Sequence, residues 1–233
     1  MPLLGSAAML LSFDIAADAI EEHDRWHTHE HLPERLAIPG FRRGTRWIAS
    51  GDGPRYMVIY EVESLATLAS DAYLARLNSP SPWTTKMMPH YIGMNRGLCT
   101  VLGSFGFGQG GTAALIRFTP DATLGTARAD ELKRWLLEEA LSAVPNMSGL
   151  GSAHLLQGAQ AAAMTNEQRI RGADRGVDSA IVITGYDSQA VAAYTNELCG
   201  AAGLPSKGAL DLSCVSYQMS YSLANTEVAT LGA

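Results

Sequence analysis

The chain has 233 residues, 47% hydrophobic and 17% charged, with a net charge of −6. That length fits one large domain or two of about 110 residues, and the composition excludes a disordered chain. The acidic balance excludes the electrostatic footprint of a protein that binds nucleic acid or an anionic membrane. Cys99, Cys199 and Cys214 share no CxxC-type spacing, which points to buried thiols in a reducing compartment. A start without a basic leader and the lack of any apolar run near ~18 residues point to a cytoplasmic protein.

In chain order, strands are expected at 9–14, 44–50, 57–64 and 98–105, and again at 114–119, 154–157, 181–187 and 212–221. Helices are expected at 19–36, 65–77, 129–143 and 189–201. The first and third of these end in matching punctuation, Ile38-Pro39-Gly40-Phe41 and Val144-Pro145-Asn146-Met147. Ser64 and Ser188 stand where N-caps of the following helices belong. Each half therefore reads β-α-β-β-α-β, a ferredoxin-like unit whose four-stranded sheet has one face in need of a partner. The predicted fold is α+β: two tandem ferredoxin-like repeats, residues 1–108 and 109–233, forming a pseudo-dimeric barrel around an apolar cavity. The glycine-rich stretch 103–112 is the expected hinge, and the polar insert 160–178 is expected on the surface as a helix plus loop.

The stretch from Trp26 to Phe41 (WHTHEHLPERLAIPGF) resembles the EthD-like branch of the dimeric α+β barrel superfamily, whose pattern is roughly W/Y-x-x-E-H-x-P-E-R-x-x-x-P-G-F. Glu30, His31, Pro33, Glu34, Arg35 and Pro39–Phe41 match it, as do Gly53–Tyr56, Tyr60-Glu61 and Ser81–Thr84 further on. The resemblance covers residues 7–110 and is mainly topological over 111–223. It implies the barrel fold and a His31 that faces the barrel cavity. It also implies a choice among monooxygenases, isomerases, cyclases, lyases and haem enzymes rather than one activity.

His23, His27, His29 and His31 put four of the six histidines within nine residues. At i,i+4 spacing, His23, His27 and His31 share one helix face, and His29 points away into solvent. Three readings compete. The first is a hydrated helix face. The second is a cofactor-free acid/base site centred on His31, oriented by Glu30 or Glu34 and assisted by His27. The third is metal or haem ligation, for which no HExxH or cysteine pair completes a set.

Around this helix, Trp47 and Tyr60 on the strands are candidate pocket walls. The proline-broken segment 78–91 adds Trp83, Met87, His90 and Tyr91 as a lid or lining. Glu61, in an apolar strand, is expected to be a partnered structural carboxylate or a residue at the barrel rim. The glycines at 106–111 open no helix after a first strand, so they do not form a dinucleotide loop. The expected protein is a cofactor-independent acid/base enzyme of lyase, isomerase or cyclase type, acting on a small apolar or aromatic molecule. The alternatives are a cofactor-free monooxygenase on a phenol and a non-catalytic small-molecule binder. No metal, cofactor, nucleic acid or membrane is expected as a partner, and a homodimer is possible.

Overall fold

The computed structural model describes residues 3–159, 165–172 and 174–228. Apolar, β-branched runs build eight strands: β1 (Ala7–Ile15), β2 (Phe41–Ala49), β3 (Tyr56–Val62), β4 (Tyr91–Gly106), β5 (Thr112–Pro120), β6 (Leu150–Gly158), β7 (Ser179–Gly185) and β8 (Ala209–Ala224). They close an antiparallel barrel in the order β1-β3-β2-β8-β5-β7-β6-β4. Each half has the same internal order, β4-β1-β3-β2 in the first and β8-β5-β7-β6 in the second.

Closure comes from two long strands. β4 pairs with β1 through Tyr91–Thr100 and with β6 through Cys99–Gly106. β8 likewise pairs with β5 at one end and with β2 at the other. No sheet edge is left to be protected from other chains. The glycine-rich stretch is therefore not a hinge. β4 runs on through Gly106 and β5 begins at Thr112, so only 107–111 lies between them. Gly106 has φ +90°, and a Cβ there would meet the Gly151 carbonyl oxygen at 2.1 Å, so the seam requires glycine at that position.

The helices lie outside the barrel: α1 (Ile20–Trp26), α2 (Leu32–Leu36), α3 (Asp71–Asn78), α4 (Pro82–Met87), α5 (Thr126–Trp135), α6 (Leu141–Ala143), α7 (Asn166–Arg171), α8 (Ser188–Cys199) and α9 (Asn225–Val228). Two expected caps are displaced. Ser64 precedes only a short 3-10 turn, and Ser70 caps α3 by accepting from the Tyr73 N–H. Asp187, not Ser188, caps α8, accepting from the Gln189 and Ala190 N–H groups.

Three apolar cores result. One lies between the first-half helices and the outer faces of β1 and β3, and a second lies in the same place in the other half. The third fills the barrel, with Leu10, Trp47, Met57, Ile59, Cys99, Leu115, Val182 and Tyr217 supplied by both halves. An eight-stranded barrel is just wide enough for its own side chains. The expected apolar cavity inside it is accordingly a packed core. At one end of the barrel Glu61 accepts from Arg43 Nε at 2.7 Å and from the Leu4 N–H at 2.7 Å, the partnered structural carboxylate. Cys99 is buried, whereas Cys214 is exposed, so the third cysteine is not a core thiol. No helix among the described residues is long and apolar enough to cross a membrane.

Candidate functional site

The histidine helix does not run regularly. Between α1 and α2 the chain makes a π-helical turn, His27–His31, and the Leu32 N–H donates to the His27 carbonyl. Pro33 follows at once. It has no N–H to donate, and in a regular α-helix its ring would clash with the carbonyl four residues back. One wide turn removes that conflict. His23, His27 and His31 nevertheless stay on one buried face, whereas His29 is exposed. The rings form a ladder, with centroids 5.5 Å apart for His23–His27 and 5.6 Å for His27–His31, tilted by 28° and 32°.

That ladder packs on the outer face of β3, not inside the barrel. Tyr60 and Tyr56 project towards it, while Trp47 of β2 projects into the barrel core. Trp47 is thus separated from the histidines by the sheet, and the expected pairing of Trp47 with Tyr60 as pocket walls fails. His31 likewise faces the space between helix and sheet rather than the barrel interior.

The tyrosines partner the ladder in order. The Tyr91 hydroxyl lies 3.4 Å from His23 Nε2, and the Tyr60 hydroxyl lies 3.4 Å from His27 Nε2. Tyr56 donates to Asp24 Oδ1 at 2.9 Å, and Asp24 Oδ1 lies 3.3 Å from His23 Nδ1. His31 stacks on Trp26 at 4.3 Å. The Nδ1 atoms of His27 and His31 are buried without a hydrogen-bond partner among the described residues. Burial first, then the charges of His23 and Arg46, hold His27 well below the ordinary imidazole value. Burial first, then Arg35, does the same for His31. Both rings are neutral at pH 7. Burial pushes the Tyr60 hydroxyl well up, so it stays protonated.

Neither expected orienter touches His31. Glu30 accepts from Trp26 Nε1 at 3.1 Å and from Ser81 Oγ at 2.5 Å, which ties α4 to the helix. Glu34 faces outward and pairs with Arg76, whose Nε donates at 3.1 Å. Trp83 and Met87 pack in the first-half core. His90 sits in the turn before β4, partly exposed, and its backbone carbonyl accepts from the Ala16 N–H. Of the expected lining residues, only Tyr60 and Tyr91 join the histidines.

What the sequence reading missed stands next to His31. Arg35, 1% exposed, lies one helical step further along the same face. Its Nη2 donates to both oxygens of Glu167 at 2.6 and 2.7 Å. Glu167 belongs to α7, so the insert expected on the surface as a helix plus loop does carry a helix, exposed at Arg169 and Ile170, but one that buries Thr165 and Glu167. Residues 160–164 and 173 of that insert lie outside the described residues. Arg35 could have been found by continuing the 23-27-31 spacing to 35.

His31, Arg35, Tyr60, Tyr73, Arg96 and Glu167 line a cavity of about 30 Å³ under α7. That is room for one or two waters or a carboxylate-sized group, not for an aromatic ring. The stacked imidazoles do not converge on a point. Among the described residues no group of three or more His, Cys, Asp or Glu side chains is arranged to hold a metal ion. A cavity of this size also has no room for a haem.

No protein-family model matches the sequence, and no curated protein matches it significantly. Solved structures do. The chain is similar to an anthrone oxidase-like protein (10% identity, TM-score 0.63), covering 97% of this chain and 96% of that one. It is similar to a candidate monooxygenase from Fusobacterium nucleatum (9% identity, TM-score 0.60, 95% and 96% covered). It is also similar to a chlorite dismutase from Candidatus Nitrospira defluvii (11% identity, TM-score 0.57, 97% and 94% covered). These likenesses establish a shared fold of the dimeric α+β barrel type, here with all eight barrel strands in one chain.

Proposed function

We propose that the chain is a proton-transfer enzyme in which His31 is the base. It acts on a small molecule bound between the histidine helix and the outer face of β3. The observation that carries this reading is a neutral, buried imidazole lining a cavity that also holds a guanidinium and a protonated tyrosine. A neutral imidazole accepts a proton without first losing one. Taking it from an acidic C–H or a phenolic O–H leaves an anion beside Arg35 and the Tyr60 hydroxyl, both donors. In a site so small and buried these interactions stabilise the developing charge far more than bulk water would. The imidazolium so formed is a strong acid because its site disfavours the charge, so it returns the proton readily.

Reprotonation of the anion at a second atom makes the reaction an isomerisation, its attack on an electrophilic carbon of the same molecule makes it a cyclisation, and expulsion of a β leaving group that takes up the His31 proton makes it an elimination. Attack of the electron-rich anion on O2, protonation to a hydroperoxide and loss of water from it make the reaction a cofactor-free monooxygenation, with one oxygen atom in the product carbonyl and the other in water. The descriptions of the structural neighbours as oxidase-like and monooxygenase proteins favour keeping that second reading. The resemblance of residues 7–110 to the EthD-like branch, and the identical strand order of the two halves, support a tandem ferredoxin-like origin with one working site. An aromatic ring does not fit the cavity as it stands, so such a substrate requires the cavity to widen around it.

The test is a screen of phenols and enolisable carbonyl compounds with wild type and His31→Gln, following product and oxygen together. Turnover that falls by about 10²–10⁴-fold in His31→Gln supports the base. Turnover that survives the substitution overturns it. Oxygen uptake in proportion to product selects the monooxygenase reading.

A further inference from the structure

Arg35 is half engaged. Its Nη2 is paired with Glu167, but its Nη1 is buried and has no hydrogen-bond partner among the described residues. Beside it, among the described residues, Arg96 makes one side-chain hydrogen bond, from Nη2 to the Tyr73 hydroxyl at 3.3 Å, and forms no salt bridge. Arg171 also lines the cavity, paired with Asp174 at 2.7 Å. Three guanidinium groups and one carboxylate, Glu167, thus face the same small space, in a protein whose net charge is −6. A buried guanidinium with a free N–H costs free energy unless an acceptor meets it. The acceptor that matches its planar donors is a carboxylate.

We propose that the Arg35–Arg96 cavity is a carboxylate subsite, and that the substrate of the His31 site carries a carboxylate bound there. The carboxylate accepts from Arg35 Nη1 and from the Arg96 guanidinium, and Glu167 keeps the other edge of Arg35 in place. The cavity volume suits such a group, and an anion held there fixes the rest of the molecule against His31 and Tyr60. This deepens the acid/base reading and rests on it for the word substrate. The subsite itself is read by binding, without turnover.

The experiment titrates the full chain with sodium acetate and, separately, with its neutral isostere acetamide at constant ionic strength. Tryptophan fluorescence and thermal shift are the readouts, since Trp26 stacks on His31. Acetate should bind saturably and raise the melting temperature, while acetamide does neither. Arg96→Gln should weaken acetate at least about tenfold with little change in the unliganded melting temperature. Arg128→Gln, on the second-half surface, should leave acetate binding unchanged. Inorganic phosphate in a third arm should bind more weakly than acetate, because the cavity is of carboxylate size. Equal effects of acetate and acetamide, phosphate binding that exceeds acetate, or acetate binding indifferent to Arg96→Gln would overturn the subsite. If Arg96→Gln fails to fold, the acetate–acetamide comparison on wild type decides alone. Acetate binding that persists in a chain whose turnover ignores His31→Gln would retain the subsite and remove the base.

Discussion

The two halves build the same helix twice and fill it differently. In each, a helix ends at a tryptophan, Trp26 or Trp135, and passes directly into a five-residue π turn, His27–His31 or Leu136–Ala140. Counting from those tryptophans, the buried positions are His23, His27 and His31 in the first half and Leu132, Leu136 and Ala140 in the second. The second half shows what this scaffold needs in order to fold, which is aliphatic side chains against a sheet. Its π turn has Ser142 where the first half has Pro33, so the wide turn belongs to the scaffold and Pro33 only reinforces it in the first half. Three neutral imidazoles at the same places bury polar atoms, two of them without partners among the described residues. Stability does not explain them, and the asymmetry is the strongest structural argument that the first half carries a site.

The largest way to break that asymmetry is through the buried ion pair that ties the histidine helix to α7 of the second half. Arg35 and Glu167 are both nearly inaccessible and lie 132 residues apart. Glu167→Ala removes one partner and leaves a buried guanidinium unpaired, a change that costs about 3–5 kcal/mol in comparable sites. Denaturant unfolding should show the midpoint falling accordingly. A loss below about 1 kcal/mol would mean that α7 does not seat on Arg35 in solution.

The next effect is acid sensitivity. His23, His27 and His31 are held below the unfolded value of about 6.5, chiefly by burial, and His154 of the second half is lowered to about 3 for the same reason. Below pH 6.5 the unfolded chain binds protons that the folded chain refuses. The stability these neutral rings permit is therefore complete above about 6.5 and declines as pH falls from there towards the folded values. Each histidine adds up to ~1.4 kcal/mol per pH unit to that slope. His27→Leu copies the second half's Leu136 into the first. It should flatten the slope between pH 6.5 and 5 by up to one histidine's share, which unfolding titrations at several pH values would measure. An unchanged slope would show that His27 is hydrated and titrates normally.

How much of this was legible in the sequence follows from the range of each contact. The strands were visible because their apolar runs are local, as in β7, where every residue from Ser179 to Gly185 is buried. The true lengths of β4 and β8 were not, because Gly93, Gly97 and Gly103 in one and Ser213, Ser216 and Ser220 in the other dilute the pattern. The histidine face followed from i,i+4 spacing alone. Alternation put Trp47 and Tyr60 on definite faces of their strands, but both faces of this sheet are buried, so it could not say which one lines the barrel. Glu167 was illegible for a different reason: a polar segment reads as solvated, and its partner is more than half a chain away.

The smallest effect concerns Glu34, which the sequence offered alongside Glu30 as an orienter of His31. Glu34 sits one residue before Arg35 and carries the charge expected of that role, yet the helix turns it outward onto Arg76. Its side chain is 22% exposed and that of Arg76 33%. A pair so open to solvent is worth about 0–1 kcal/mol, because screening and lost side-chain freedom offset most of the attraction. Glu34→Gln should therefore shift the unfolding midpoint only slightly and leave acetate binding, and any turnover found in the screen, within about twofold of wild type. The same substitution in an orienting carboxylate would lower turnover by an order of magnitude or more, since the imidazolium would lose its counter-charge. The comparison of Glu34→Gln with His31→Gln thus separates a helix-surface tie from the buried chemistry one turn away.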